Sequence, residues 1–158
     1  MDEQKTKSDI KGIIGQLESL LDEYMVKKAP FALPMGLKEF IVKISPYLII
    51  IFAILALLLI LAALGISAVL TPFMMVSPYG WGFGGIVSLV TAVVVFILEL
   101  MAVPGLFKRT KAGWRLIFYA SIVGLIGSLF SITSIIGGIV GAIIGWYILF
   151  QVKDMYKN

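Results

Sequence analysis

The chain contains no cysteine and no histidine, and it carries no charge from Ile44 to Leu98 or from Leu116 to Val152. The first two absences exclude disulfides, thiol nucleophiles, imidazole bases and the thiolate and imidazole ligands of most zinc and copper sites, so no metal and no cofactor is expected. They do not identify a redox compartment, since a cytoplasmic protein and a reduced membrane protein both do without cysteine. The third absence is more specific. An uncharged apolar run of about 18 residues already qualifies as a membrane-crossing helix, and each of these two runs has room for two crossings.

Sixty per cent of the residues are apolar and the mean hydropathy is +1.05, well above the half-apolar composition of soluble domains. The formal net charge is +4, from thirteen Lys and Arg against nine acids. Seven cations precede the first run (Lys5, Lys7, Lys11, Lys27, Lys28, Lys38, Lys43), four lie between the runs (Lys108, Arg109, Lys111, Arg115) and two close the chain (Lys153, Lys157). Four crossings put all of them on one side, and cytoplasmic loops carry the excess of Lys and Arg. The expectation is an all-α, four-helix transmembrane bundle in the plasma (inner) membrane, with both termini cytoplasmic and with anionic lipids around its basic segments. The polar start MDEQKTKSD and the late first run do not have the layout of a cleavable signal peptide, so an unprocessed chain is expected. Nothing in the sequence resembles a nucleic-acid module.

Residues 1–28 read as a cytoplasmic amphipathic helix starting near Ser8, a plausible N-cap. Its stripe is Ile10, Ile14, Leu17, Leu21 and Tyr24, widened by Ile13, Leu20 and Met25. The polar face carries Asp9, Glu18, Asp22 and Glu23 against Lys11, which favours a protein partner or a second copy over lipid, because interfacial helices place Lys and Arg there. Residues 29–45 form an interfacial linker, APFALPMG, with a short lead-in. Helices are expected at about 46–70, 86–103, 114–131 and 135–152, with a tail at 153–158. Pro46 suits a first helical turn, and Pro104-Gly105 is a strong breaker. Thr71 to Gly85, with Phe73, Tyr79, Trp81 and Phe83, reads as an outer loop in the aromatic belt. Ile132-Thr133-Ser134 makes the last two helices antiparallel neighbours.

Three groups of residues invite a functional reading. Gly137, Gly141 and Gly145 recur every four residues, with Gly138 and Ala142 in a parallel row and Ala120, Gly124 and Ser128 as a match on the preceding helix. Small residues at this spacing mark close helix packing in lipid, within the chain or between copies. Glu99 is the only ionisable residue inside the spans, on a face shared with Ser88, Ala92, Val95 and Ala102 and flanked by Thr91. It reads as half of a structural ion pair with Lys108, Arg109 or Arg115, or as a proton or cation site. The loop bearing Lys108, Arg109, Lys111 and Arg115 reads as a topology anchor, or as an anionic headgroup site.

The stretch ELMAVPGLFKRTKAGWRLIFY, Glu99 to Tyr119, with the short helical hairpin and basic tail after it, resembles small uncharacterised four-pass bacterial membrane proteins. The resemblance covers the last sixty or so residues and implies a fold and a location without an activity. In size and helix count the chain is also similar to small multidrug-resistance transporters, whose coupling carboxylate lies in the first helix. The first helix here has no acid, so that mechanism is not carried across. With no acid-base pair or nucleophile to assemble in the spans, the expected function is a non-enzymatic scaffold or accessory subunit; the alternative is a small oligomeric transporter or channel using Glu99.

Overall fold

The computed structural model describes residues 2–74, 83–130 and 135–157, with side chains for 3–65, 85–130 and 135–157. Among the described residues there is no strand. Five α-helices follow one another: α1 (Asp2–Asp22), α2 (Met35–Met74), α3 (Phe83–Phe107), α4 (Lys111–Leu129) and α5 (Ile135–Gln151). A π-helical turn, Glu23–Lys27, extends α1, and a 3-10 turn, Lys153–Met155, follows α5. The Met35–Gly65 part of α2, Gly85–Phe107 of α3, and α4 are long and apolar enough to cross a membrane; α5 is apolar but shorter. The tip of the expected outer loop and the expected turn at Ile132-Thr133-Ser134 lie outside the described residues.

Several helix boundaries differ from the sequence expectation, α2 running on to Met74 and α4 starting at Lys111 among them, and three have a local reason. Helix α1 begins at Asp2 rather than Ser8. Glu3, Gln4, Lys5 and Lys7 are good helix formers, although they offer no apolar stripe to reveal the helix. Helix α2 begins at Met35 and passes through Pro46 without a break. Proline has no N–H for the Val42 carbonyl four residues back, and the Ser45 hydroxyl donates to that carbonyl instead, at 3.1 Å. Helix α3 likewise passes through Pro104 and ends at Phe107. Its end is closed by the Arg109 amide donating to the Leu106 carbonyl (3.1 Å) and the Thr110 amide to the Gly105 carbonyl (2.8 Å). This is a Schellman closure, and Arg109 holds the left-handed position with φ 52°.

From α2 to α5 consecutive helices pack on one another, with the α3–α4 contact the most extensive, and α1 packs on α5. Its register is antiparallel and rests on small residues: Thr91 meets Gly127, Val95 meets Gly124 and Gly105 meets Gly113. Buried residues gather toward the end of the structure where α2 starts, α3 turns into α4, and α5 finishes. Val42, Ala102, Leu106, Trp114, Phe118, Phe150, Val152 and Tyr156 form this core, with Leu21 of α1 against it. Toward the other end large apolar side chains face outward, among them Leu58, Leu59, Val90, Val94, Ile136 and Ile144. So much exposed apolar surface needs a covering other than water.

The Gly105–Gly113 contact generates a prediction. A Cβ on Gly113 would lie 2.5 Å from the Gly105 carbonyl carbon and 2.7 Å from the Leu106 nitrogen, and backbone atoms cannot swing aside. Gly113→Ala is expected to destabilise the chain by roughly 1–3 kcal/mol through overpacking. Gly141→Ala meets nothing within 4 Å and is expected to be neutral or to gain up to about 1 kcal/mol of helix propensity. Circular dichroism during unfolding in mixed SDS micelles checks both; equal midpoints for the two variants would refute the close crossing.

Candidate functional site

The polar chemistry of the chain converges on the end where the core lies. Helix α1 reaches it through Ile14 and Leu17, half-buried, and Leu21, buried. Its acids meet the end of α5: Lys153 Nζ lies 3.1 Å from Glu18 Oε1 and 3.3 Å from Asp22 Oδ1, and Arg115 Nε lies 3.9 Å from Glu18 Oε2. The same ammonium sits 5.3 Å from the ring centres of both Trp114 and Phe150. Trp114 is buried, and its indole N–H donates at 2.8 Å to the Leu149 carbonyl, one of the α5 carbonyls left over at a helix end. Trp114, Phe118 and Phe150 pack as a ring cluster with centroids 5.1 to 5.6 Å apart.

The segment between α1 and α2 is laced to the same place. Gln151, buried, accepts from the Leu33 amide at 3.2 Å and donates to the Met25 carbonyl at 2.8 Å. The Tyr147 hydroxyl donates to the Phe31 carbonyl at 2.6 Å. The expected partner stripe is thus used in part. Ile14, Leu17 and Leu21 pack on the chain's own core, whereas Ile10, which precedes the docked half of α1, and Tyr24, which lies in the π-helical turn, stay exposed.

The four cations of the α3–α4 segment do not converge. Arg109 turns to α2 and pairs with Glu39 at 2.5 Å, and that carboxylate holds the guanidinium above its ordinary pKa. Its carbonyl accepts from the Lys157 amide at 3.1 Å, so a single residue fastens α2, the turn and the tail. Lys108 is exposed. Lys111 and Arg115 instead join Lys153 and Lys157 around an open cavity of about 440 Å³, whose wall also holds Glu18, Asp154, Trp114 and Tyr156. Burial pushes the Tyr156 phenol up in pKa against the opposing effect of its Ser45 hydrogen bond, so it remains a neutral hydroxyl at physiological pH.

The ion pair expected between Glu99 and Lys108, Arg109 or Arg115 is not made. Arg109 and Arg115 are engaged by Glu39 and Glu18, and Glu99, half-buried, has no hydrogen-bond or ion-pair partner among the described residues. The α3–α4 register sets Glu99 level with Ala120, which is buried. Farther along the same seam Ser88, Thr91 and Val95 line a groove of about 270 Å³ with Gly124, Gly127 and Ser128.

The glycine row is also used differently. Cβ atoms at Gly137, Gly141 and Gly145 would meet nothing within 4 Å, so these glycines do not seat α5 on α4. Contact is made one position along, where Gly138 meets Ser128, and Trp146 donates to the Ser121 hydroxyl at 2.7 Å. The rotation follows from the aromatic residues of α5, which must turn toward Trp114 and Phe118 to be buried. Gly124 faces Val95 of α3 rather than α5.

Sequence reading missed Lys153, Trp114, Gln151 and the Gly105–Gly113 pair. Glu18 and Asp22, four residues apart on the docking side of α1, were a usable signal for an opposing cation. A lone amide at the end of the apolar α5 was another. The left-handed Arg109 had no signal, since glycine is the residue that normally marks that position. Comparison with protein-family models, with curated proteins and with solved structures finds no match.

The clamp on α1 generates a second prediction. Two partly screened ion pairs and two cation–π contacts amount to roughly 1–3 kcal/mol. Lys153→Met is expected to speed hydrogen exchange about tenfold or more over residues 14–27 while leaving residues 3–13 as they are; unchanged rates over 14–27 would show that Lys153 does not hold the helix.

Proposed function

We propose that this chain is a non-enzymatic integral membrane protein that serves as a scaffold or accessory subunit, with α2 to α5 as four crossings and α1 on the cytoplasmic face presenting its exposed half to a protein partner. The single observation that carries the reading is how α1 is held. Only its carboxyl-terminal half is docked; residues 3–13 are exposed, with Ile10 50% and Ile13 64% accessible. An apolar pair on a helix held out by a clamp is a feature that recognition uses and folding does not.

The fourth crossing is supported by composition more than by length. Seventeen residues of α5 extend about 25 Å, at the short end for a membrane helix, and its N-terminal end carries no charge. All thirteen cations belong to segments that meet at the clamped end, which the positive-inside rule assigns to the cytoplasm. A photo-crosslinking residue in place of Ile13 in native membranes is expected to give a discrete protein adduct, and one in place of Leu58 only lipid. Lipid adducts alone from both positions would sink the scaffold reading.

A transporter or channel is the second reading, favoured by Glu99, which has no partner among the described residues, and by the groove holding Ser88, Thr91 and Ser128. It expects proton or cation flux in proteoliposomes that Glu99→Gln abolishes. Flux that survives the substitution, or is absent from the wild type, leaves Glu99 outside any pathway.

A further inference from the structure

We infer that the cavity between the first turn of α4 and the carboxyl-terminal tail is a phosphate site, taking a phosphate ester through Lys111, Arg115 and Lys157, with Glu18 of α1 occupying the position of a competing anion. Four cations and two acids, Glu18 and Asp154, face this space. The cations come from two distant parts of the sequence, so their meeting is a property of the fold. Lys153 is neutralised by Glu18 and Asp22, and Arg115 is held only loosely, at 3.9 Å. The side chains of Lys111 and Lys157 have no ion-pair or hydrogen-bond partner among the described residues, so the surplus on the wall is positive.

Two further features fit an anion. Thr110 caps the Gly113 amide at 3.2 Å, which leaves the amides of Lys111 and Ala112 without a bond among the described residues and the positive end of the α4 dipole at the rim. Glu18 already shows that the cations converge on one oxyanion, since its two oxygens face Lys153 and Arg115 separately. A phosphate has three oxygens and more charge, and it would draw Arg115 off Glu18 while Lys111 and Lys157 close from the other side. The volume, about 440 Å³, admits a phosphate with a glycerol-sized substituent. The ester has two sources, a lipid headgroup at the membrane surface or a free phosphorylated molecule. The site stands whether or not α1 recruits a protein, because its test reads the ligand and not a partner.

The full chain in phosphatidylcholine nanodiscs is titrated with glycerol 3-phosphate by calorimetry, and a second set containing phosphatidic acid is followed by 31P NMR. Saturable binding is expected in at least one arm: in the lipid arm alone for a headgroup site, in the soluble arm for a free ester. Lys111→Gln with Arg115→Gln, both at exposed positions, is expected to weaken binding about tenfold or more. Glu18→Gln is expected to strengthen it several-fold, a gain that misfolding cannot produce, whereas Glu3→Gln, the same charge change on the exposed half of α1, leaves it unaltered. No saturable binding in either arm overturns the inference. So does a double variant that binds as well as wild type, or a Glu3→Gln gain equal to that of Glu18→Gln.

Discussion

The close approach of Gly105 to Gly113 is the constraint on which the rest of the structure depends. With no side chain on either residue, α3 can end and α4 begin with only Lys108, Arg109 and Thr110 between them, and both backbones meet at van der Waals distance. So short a turn forces one residue into the left-handed region, and that residue is Arg109 at a cost of about 1–2 kcal/mol. Glycine would adopt the same backbone without that cost. Arginine there gains a guanidinium that reaches Glu39 on α2, while its carbonyl, turned outward by the left-handed backbone, receives the Lys157 amide. Strain held at one residue thus ties three otherwise separate segments together.

From that turn the packing proceeds along α4. Trp114 follows Gly113 directly, and burying it against Phe118 and Phe150 fixes how α5 is rotated. That rotation carries Gly137, Gly141 and Gly145 to the outside and brings Lys153 over the indole, where it can receive the acids of α1. The core is consequently strongest at the charged end and thins toward the uncharged one, where large apolar side chains face outward. Buried contacts are therefore densest where α1, the turn and the tail meet.

The all-helical class and the apolar spans were legible because hydrophobic runs are a property of composition, which no tertiary contact overrides. Helix ends were less so. Pro46 and Pro104 read as boundaries because proline lacks a donor, yet Ser45 relieves the Val42 carbonyl and α3 closes three residues beyond Pro104. The helix faces were least legible. Two small-residue rows on α5 differ by a single position, and only the burial of Trp146 and Phe150, a tertiary fact, decides between them. The basic loop was legible as a cluster but not as a site, because Arg109 and Arg115 point to acids sixty residues and more away in the sequence, Glu39 and Glu18.

Those two acids also change what Glu99 means. A carboxylate beside spare guanidinium groups is most simply a structural partner, and proximity in sequence made that the natural reading. Once Glu39 and Glu18 have taken the arginines, Glu99 keeps its desolvation cost with no compensating charge among the described residues. Two acids at the charged end therefore leave Glu99 unpaired among the described residues, although the chain has more cations than acids. Part of that surplus, Lys111 and Lys157, lines the cavity beside Trp114 at α4's first turn. A fold that keeps Lys111 and Lys157 apart from the half-buried Glu99 leaves both without a counter-charge among the described residues, and such a group is one that an outside ion can engage.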